Sequence, residues 1–134
     1  MIRKISEIFY TFSNWFPPID NLIIVTAANS LYYKTMLNLL NSLDKYENKH
    51  IIIWDLGLLE EEKKNIKKCF NYIEVKQFDF SKYPSFFNID INAGEYAWKP
   101  VIIKKTFEQY DGFILWLDAG CIISHRLNSI RNLG

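Results

Sequence analysis

Short runs of consecutive apolar residues alternate along the chain with longer segments in which apolar residues recur every three or four positions. Continuous apolar runs are typical of strands buried on both faces of a parallel sheet, and the three-to-four spacing predicts amphipathic helices. Strands that alternate with helices predict right-handed βαβ units. The apolar runs are residues 22–27, 51–54 and 113–117, and the helical segments are residues 30–43, 59–70 and 97–110. We therefore predict an α/β fold, with a Rossmann-like three-layer α/β/α architecture and a mostly parallel sheet.

The first of these helical segments has a regular apolar stripe and a candidate cap. Asn29 or Ser30 is placed to cap the start of the helix, because both residue types offer a side-chain oxygen to free backbone amides. The predicted stripe consists of Tyr32, Met36, Leu39, Leu40 and Leu43. The segment is therefore expected to bury this face against the sheet.

A further strand and a long irregular stretch lie between the second and third helical segments. Residues 72–78 alternate between apolar and polar types, which predicts a strand. Residues 79–95 have no clear periodicity and contain Pro84 and Gly94. Long connections in compact domains are usually functional or mobile, so this stretch is a candidate part of a binding site.

The N-terminal segment has an amphipathic pattern of its own, which Pro17 and Pro18 end. We divide the chain into this helix, within residues 1–18, and a domain at residues 19–134. Membrane-surface helices are usually more basic than this segment. Packing against the domain is therefore the favoured interpretation, while weak membrane contact or contact with a partner chain stays open. The apolar face of residues 1–16 is Ile5, Ile8, Phe9, Phe12 and Phe16.

Composition excludes several classes of protein. Sixteen Lys and Arg against fifteen Asp and Glu leave a net charge of +1 over 134 residues, which provides no basic footprint for nucleic acid. No apolar run approaches the roughly 18 residues that a membrane-spanning helix needs, and the N-terminus lacks the pattern of a secretory signal. Cys69 and Cys121 lack metal-finger spacing. We predict a cytoplasmic protein with free thiols.

Polar or small residues follow three of the predicted strands. The first strand ends in Thr26-Ala27-Ala28-Asn29, the second in Asp55 and the last in Asp118. In open parallel sheets, ligands bind at the carboxyl ends of the strands, near the point where strand order reverses. Each aspartate has two interpretations, because a carboxylate at this position either contacts a ligand or caps the following helix. The chain has five glycines and no glycine cluster, so it lacks Walker or dinucleotide phosphate loops.

Two motifs resemble a known family. The first is Ala97-Trp98-Lys99-Pro100, and the second is the run 114–121, which ends in Leu117-Asp118-Ala119-Gly120-Cys121. Together they resemble the N-terminal part of GT-A-fold glycosyltransferases, and more narrowly proteins with a Trp-Lys-Pro motif followed by Leu-Asp-Ala-Gly. The resemblance covers roughly residues 20–123 and implies a GT-A-like, nucleotide-sugar-binding domain.

The resemblance also implies contacts to a nucleoside-diphosphate sugar donor. The loop after the first strand and the aspartate ending the second would contact the base and ribose. Lys99 would lie near the phosphates or the donor sugar, and a solvated lysine at a helix start is its alternative interpretation. Trp98 is expected in the core. The implied donor-binding residues are Thr26, Ala27, Ala28, Asn29, Asp55, Lys99, Asp118, Ala119 and Gly120.

Asp118 occupies the position of the family's Asp-X-Asp signature, in which two carboxylates hold a divalent ion against the diphosphate. The resemblance therefore implies Mn or Mg at Asp118. Position 120 is glycine, so the second carboxylate is missing and the expectation of a metal is weaker. The neighbouring Cys121 is interpreted as a buried thiol rather than a soft ligand.

The leading functional prediction is a glycosyltransferase, or the N-terminal part of one, that transfers a sugar to an unknown acceptor. No catalytic base can be named, because neither His50 nor His125 fits a catalytic constellation. The chain ends at Gly134, soon after the signature, so we expect an incomplete C-terminal part and do not assign turnover. The alternative is a non-catalytic or truncated module of the same fold that binds nucleotide or a partner.

Overall fold

The computed structural model describes residues 21–132. The predicted helix at 1–16 and the division at residues 1–18 lie outside this range. The described part of the chain alternates strands with helices, as predicted from the apolar pattern.

The centre of the fold is a sheet of four parallel strands in the order β3-β2-β1-β4. The chain steps outward from β1 to β3 and then returns to the other side of β1, so strand order reverses between β1 and β4. This arrangement confirms the predicted α/β fold with a parallel sheet. The strands are β1 (Leu22–Ala28), β2 (His50–Asp55), β3 (Glu74–Gln77) and β4 (Phe113–Trp116).

Helices cover both faces of the sheet and make three layers. Ile24 and Ile53 pack with residues of α1 and α2 on one face, whereas Val25 and Ile52 pack with residues of α3 on the other. Successive strand residues point to opposite faces, so a strand buried on both faces needs an unbroken apolar run. Within residues 21–132, no helix combines the length and apolarity needed to cross a membrane. The helices are α1 (Tyr33–Tyr46), α2 (Glu60–Cys69), α3 (Trp98–Gln109) and α4 (Asn128–Arg131).

The start of α1 differs from the sequence-based prediction. A 3-10 turn at Ser30–Tyr32 precedes the helix, and the side chain of Asn29 makes no capping hydrogen bond. The Ser30 hydroxyl instead donates to Glu62 Oε1 at 2.8 Å, which ties this turn to α2. The capping prediction is therefore wrong. The turn also moves Tyr32 off the apolar stripe, and its side chain is 51% exposed.

The irregular stretch 79–95 contains short 3-10 turns and an aromatic stack. The Tyr83 ring stacks between Phe78, with a centroid distance of 5.2 Å, and Phe87, at 4.8 Å. Phe78 and Phe87 are buried in the core on the α3 side of the sheet. The stretch therefore lacks periodicity but packs as part of the domain.

The same stretch ends in five successive residues with left-handed helical φ angles, which we call the left-handed turn (Asn92–Tyr96). Its φ angles are 47° at Asn92, 53° at Ala93, 63° at Gly94, 51° at Glu95 and 54° at Tyr96. A left-handed conformation costs an L-residue with a Cβ roughly 1–2 kcal/mol. Packing by the rest of the domain must offset that cost at every position except the glycine.

After β4 the chain runs along the α1 side of the sheet. Cys121, Leu127 and Ile130 pack there, each partly buried. The Glu47 carboxylate, just beyond α1, accepts hydrogen bonds from the Leu127 amide and from the Arg131 guanidinium. This buried ion pair fastens α4 to the end of α1.

Candidate functional site

A cavity of about 430 Å³ lies at the carboxyl ends of β1 and β4, where strand order reverses. In open parallel sheets, ligands bind outside the carboxyl ends of the strands at the point where strand order reverses. The cavity is lined by Ala27, Ala28, Asn29, Tyr32, Leu56, Ile89, Ala93, Tyr96, Trp98, Lys99, Asp118, Ala119 and Gly120. The structure therefore contains a cleft of ligand size at the edge of the sheet that the sequence indicated.

Most of the residues predicted to bind a donor line this cavity, and Thr26 and Asp55 do not. Thr26 is fully buried within β1, one residue before the strand reaches the cleft. Its hydroxyl has no hydrogen-bond partner among residues 21–132. The predicted residues that share the cavity are Ala27, Ala28, Asn29, Lys99, Asp118, Ala119 and Gly120.

Asp55 forms a turn instead of facing the cleft. Its carboxylate is buried, and Oδ1 accepts hydrogen bonds from the Gly57 amide at 2.8 Å and the Leu58 amide at 2.6 Å. Lys63 Nζ lies 3.5 Å from Oδ2. The amides of the turn between β2 and α2 thus bind this carboxylate, whereas the N-cap of α2 is Leu59, so Asp55 neither faces the cleft nor caps the helix.

Lys99, Trp116 and Asp118 form a compact cluster, and two of its members, Lys99 and Asp118, line the cleft. Lys99 Nζ is 2.7 Å from Asp118 Oδ1, and the Trp116 indole donates to the same oxygen at 2.8 Å. The ammonium also lies 5.2 Å from the centre of the Trp116 ring. The Lys99 hydrogen bond, and after it the Trp116 hydrogen bond, hold the pKa of Asp118 below its usual range because both stabilise the ionised form.

Local sequence explains how this cluster forms. Lys99 and Pro100 lie in the first turn of α3, where a proline is tolerated because the backbone amides there have no partner within the helix. Asp118 follows β4, whose hydrogen-bonding continues one residue further through the Leu117 amide and Val25 carbonyl at 3.0 Å. A helix start and a strand end therefore bring two residues that are 19 positions apart into contact.

Replacing Lys99 by methionine is expected to raise the pKa of Asp118 towards the ordinary value for an aspartate. The substitution keeps the length of the stem and removes the ammonium that stabilises the carboxylate, while the Trp116 hydrogen bond remains. A ¹³C NMR titration of the side-chain carboxyl groups measures this directly. Lys104→Met is the matched control, since Lys104 lies on the same helix beside Glu108. An Asp118 titration that is the same in both variants would contradict the ion pair.

The described residues do not by themselves make a divalent-cation site. No group of three or more His, Cys, Asp or Glu side chains within residues 21–132 could hold a metal ion. Asp118 already accepts two hydrogen bonds on Oδ1, one of them from a cation, and position 120 carries no carboxylate. Lys99 would repel an ion bound at this oxygen. Asp118 therefore remains the single candidate ligand for Mn or Mg among residues 21–132.

Two tyrosines that the sequence reasoning did not assign to a site also line the cleft. Tyr32 is 51% exposed and Tyr96 is 59% exposed. Tyr32 was obscured by its place in the apparent apolar stripe, and Tyr96 lies where periodicity is lost. Trp98 is buried, as the core interpretation predicted, and its indole donates to the Ala93 carbonyl at 2.9 Å.

Solved glycosyltransferases have the same fold. WbbM, a bifunctional glycosyltransferase in its apo form, matches with a TM-score of 0.56 and 16% identity over 86% of this chain and 21% of WbbM. The galactosyltransferase LgtC, solved with donor and acceptor sugar analogs, matches with a TM-score of 0.53 and 19% identity over 80% of this chain and 41% of LgtC. The chain spans less than half the length of either protein. These matches place the domain in the α/β fold class of the glycosyltransferases.

The family of the chain follows from its sequence. Residues 2–104 match the family described as "Protein of unknown function (DUF1647)". This match covers more than half of the chain, and the chain therefore belongs to the DUF1647 family. A comparison with curated proteins finds no match. The matched range includes Lys99 and ends before Asp118.

Proposed function

We propose that the cleft binds a nucleoside-diphosphate sugar, and that the chain is the donor-binding part of a glycosyltransferase. One observation carries this proposal. An accessible ammonium, that of Lys99, lies beside a carboxylate in a cavity of about 430 Å³ at the point where strand order reverses. The fold that the chain shares with glycosyltransferases supports the same assignment.

Lys99 is the proposed partner of the diphosphate. Within residues 21–132, Lys99 is the one positively charged residue that lines the cavity, and its side chain is 31% exposed. A compact ammonium binds phosphate oxygens as a point charge. A diphosphate would compete with Asp118 for this cation and leave the carboxylate, 64% exposed, available to donor hydroxyl groups.

Small residues at the strand ends would let the donor approach the backbone. Ala27 and Ala28 end β1, and Ala119 and Gly120 follow β4 on the other side of the cleft. A Cβ added at Gly120 would have its nearest neighbour, Thr35 Cγ2, at 3.9 Å. The floor of the cavity is thus made of residues with little bulk, which suits a ligand that lies across the ends of the strands.

In a transfer reaction the bond between the anomeric carbon and the diphosphate oxygen breaks, and its electron pair stays on the diphosphate. The acceptor hydroxyl forms the new bond to the anomeric carbon and loses its proton. Lys99 would stabilise the charge on the leaving diphosphate, since fixed charges aimed at developing charge lower the barrier. Neither His50 nor His125 lines the cavity, so we assign no base for the acceptor proton.

A non-catalytic donor-binding module of the same fold is the second candidate. The observation that favours it is the hydrogen bonding of Asp118, the one carboxylate among residues 21–132 that lines the cavity, with Lys99 and Trp116. A carboxylate held by a cation at low pKa is a poor proton acceptor. Such a site suits recognition of a nucleotide better than removal of a proton from an acceptor.

Isothermal titration calorimetry of the 134-residue chain with UDP-glucose, UDP-galactose and GDP-mannose, each with and without Mn, tests donor binding. Lys99→Met is expected to weaken binding by about 10–100-fold, because a hydrogen bond to a charged group is worth roughly 1.5–3 kcal/mol. Lys104→Met, which alters the same helix outside the cleft, is expected to bind like the unaltered chain. Absence of binding across the panel at millimolar donor would refute the proposal.

Release of nucleoside diphosphate from a bound donor distinguishes a glycosyltransferase from a non-catalytic donor-binding module. A glycosyltransferase is expected to release it in the presence of an acceptor or slowly to water. Binding without release over many hours favours the non-catalytic module.

A further inference from the structure

The left-handed turn (Asn92–Tyr96) is the most strained backbone segment among residues 21–132. All five residues have φ between 47° and 63°, and only one of them is a glycine. L-residues enter this region as single residues rather than in succession. Such conformations persist only where the surroundings over-determine them, and they cluster at ligand sites.

The surroundings of the turn hold it without any ligand. The Gly94 amide donates to the Ile91 carbonyl and the Ala97 amide to the Gly94 carbonyl, each at 2.9 Å. The Trp98 indole donates to the Ala93 carbonyl at 2.9 Å. Because Trp98 is buried in the core, the turn is anchored to the body of the domain.

This anchored turn presents one large side chain to the cleft. Tyr96 is 59% exposed, although its neighbours Gly94 and Trp98 are buried. The Tyr96 ring lies 6.0 Å from the Trp98 ring, at an angle of 53°. Its backbone is therefore anchored, and its exposed side chain is part of the cavity lining.

Most of the side chains that line the cavity together with Tyr96 are uncharged. Ile89, Ala93 and Leu56 line the cavity together with the two tyrosines, and none of these side chains is charged. A hexose would need polar partners for its hydroxyl groups, whereas a nucleobase is flat and aromatic. Bases stack on aromatic side chains for about 1–3 kcal/mol each.

We propose that the left-handed turn is a preformed nucleobase clamp, in which the Tyr96 ring stacks on the base of the donor. The inference rests on the proposed function, because it divides the same cleft into a base subsite at Tyr96 and a diphosphate subsite at Lys99. The strain in the turn is retained because a relaxed backbone would carry the ring away from the cleft.

Calorimetry with UDP-glucose, UDP and inorganic pyrophosphate tests this division on Tyr96→Ala and Tyr96→Phe. The alanine variant is expected to weaken UDP-glucose and UDP by the same factor, between about 5- and 100-fold, and to leave pyrophosphate binding unchanged. The phenylalanine variant retains the ring and is expected to bind within about threefold of the unaltered chain.

The outcomes distinguish failure of the nucleobase clamp from failure of the proposed function. If the unaltered chain binds UDP-glucose while Tyr96→Ala binds it equally well, the clamp is refuted and donor binding stands. If the unaltered chain binds none of these ligands, the proposed function fails first. Weakening of UDP-glucose without weakening of UDP would place the ring on the sugar and overturn the assignment to the base.

The substitution Glu95→Gly tests the backbone strain of the left-handed turn. Glycine accepts a positive φ without a Cβ penalty, so this variant is expected to keep or raise the melting temperature while it weakens UDP binding about two- to fivefold through lost preorganisation. Lys104→Gly, in the interior of α3, is the control and is expected to lower the melting temperature. Equal losses of melting temperature would contradict the left-handed turn.

Discussion

Arg131→Ala is expected to lower the free energy of unfolding by about 3–5 kcal/mol, the usual cost of removing one member of a buried ion pair. The Glu47 side chain is only 2% exposed and that of Arg131 12% exposed. The guanidinium contacts both carboxylate oxygens, at 2.7 Å from Nη1 to Oε1 and through Nη2 to Oε2. Without it the carboxylate either stays buried and poorly compensated or is hydrated by release of α4. Urea unfolding followed by circular dichroism measures the change.

Lys104→Ala is the control for this ion pair. Lys104 Nζ lies 3.8 Å from Glu108 Oε1, with both side chains more than half exposed, and such pairs contribute about 0–1 kcal/mol. The double variant Glu47→Leu with Arg131→Leu is expected to recover part of the loss, because apolar residues can replace a buried pair. If Arg131→Ala were no more destabilising than Lys104→Ala, the buried pair would not hold α4 in place.

Gly94→Ala is expected to lower the free energy of unfolding by about 2–5 kcal/mol, from overpacking and from the left-handed backbone together. A Cβ at this position would lie 2.3 Å from the Phe87 carbonyl oxygen and 3.0 Å from its carbon. The backbone of Phe87 has little freedom to move, because its ring is stacked on Tyr83 and buried in the core. Thermal and urea unfolding would both report the loss.

Gly120→Ala is the matched control for that substitution. Its Cβ would meet nothing nearer than Thr35 Cγ2 at 3.9 Å, and its φ is not positive. An effect within about 0.5 kcal/mol is therefore expected. Similar stabilities for the two alanine variants would mean that Gly94 does not occupy the crowded position beneath Phe87.

The two large effects lie at different places relative to the proposed site. Gly94 lies in the turn that presents Tyr96, which lines the cleft, whereas Arg131 pairs with Glu47, beyond the end of α1 that is remote from the cleft-lining Tyr32. Variants at Gly94 are therefore expected to change stability and, through the wall of the cleft, ligand binding, while variants at Arg131 are expected to change stability. Binding measurements on them need the folded fraction to be determined first, which the unfolding curves provide.

The sequence by itself determined the order and type of the main elements and the edge at which the site lies. Strands buried on both faces require unbroken apolar runs, and 22–27 and 51–54 are such runs, whereas β4, predicted as a buried strand from the run 113–117, is an edge strand of the described sheet with Phe113 52% exposed. Because ligands bind at the carboxyl ends of parallel strands, the residues after β1, β2 and β4 were predicted as candidates for the site, and those after β1 and β4 line the cleft. The contact of Asp118 with Lys99, at 2.7 Å, was not predicted.

Only the tertiary structure decided which of the candidate side chains reach the cleft. Asp55 and Asp118 both follow apolar strands, but the turn after β2 supplies two amides that occupy the first, while the second remains exposed beside Lys99. The positive φ angles that present Tyr96 are set by packing against Trp98 and by the crowded Gly94. Local preference opposes such a turn, and its packing against Phe87 and against Trp98, both buried in the core, imposes it, so no periodicity in the sequence could have indicated it.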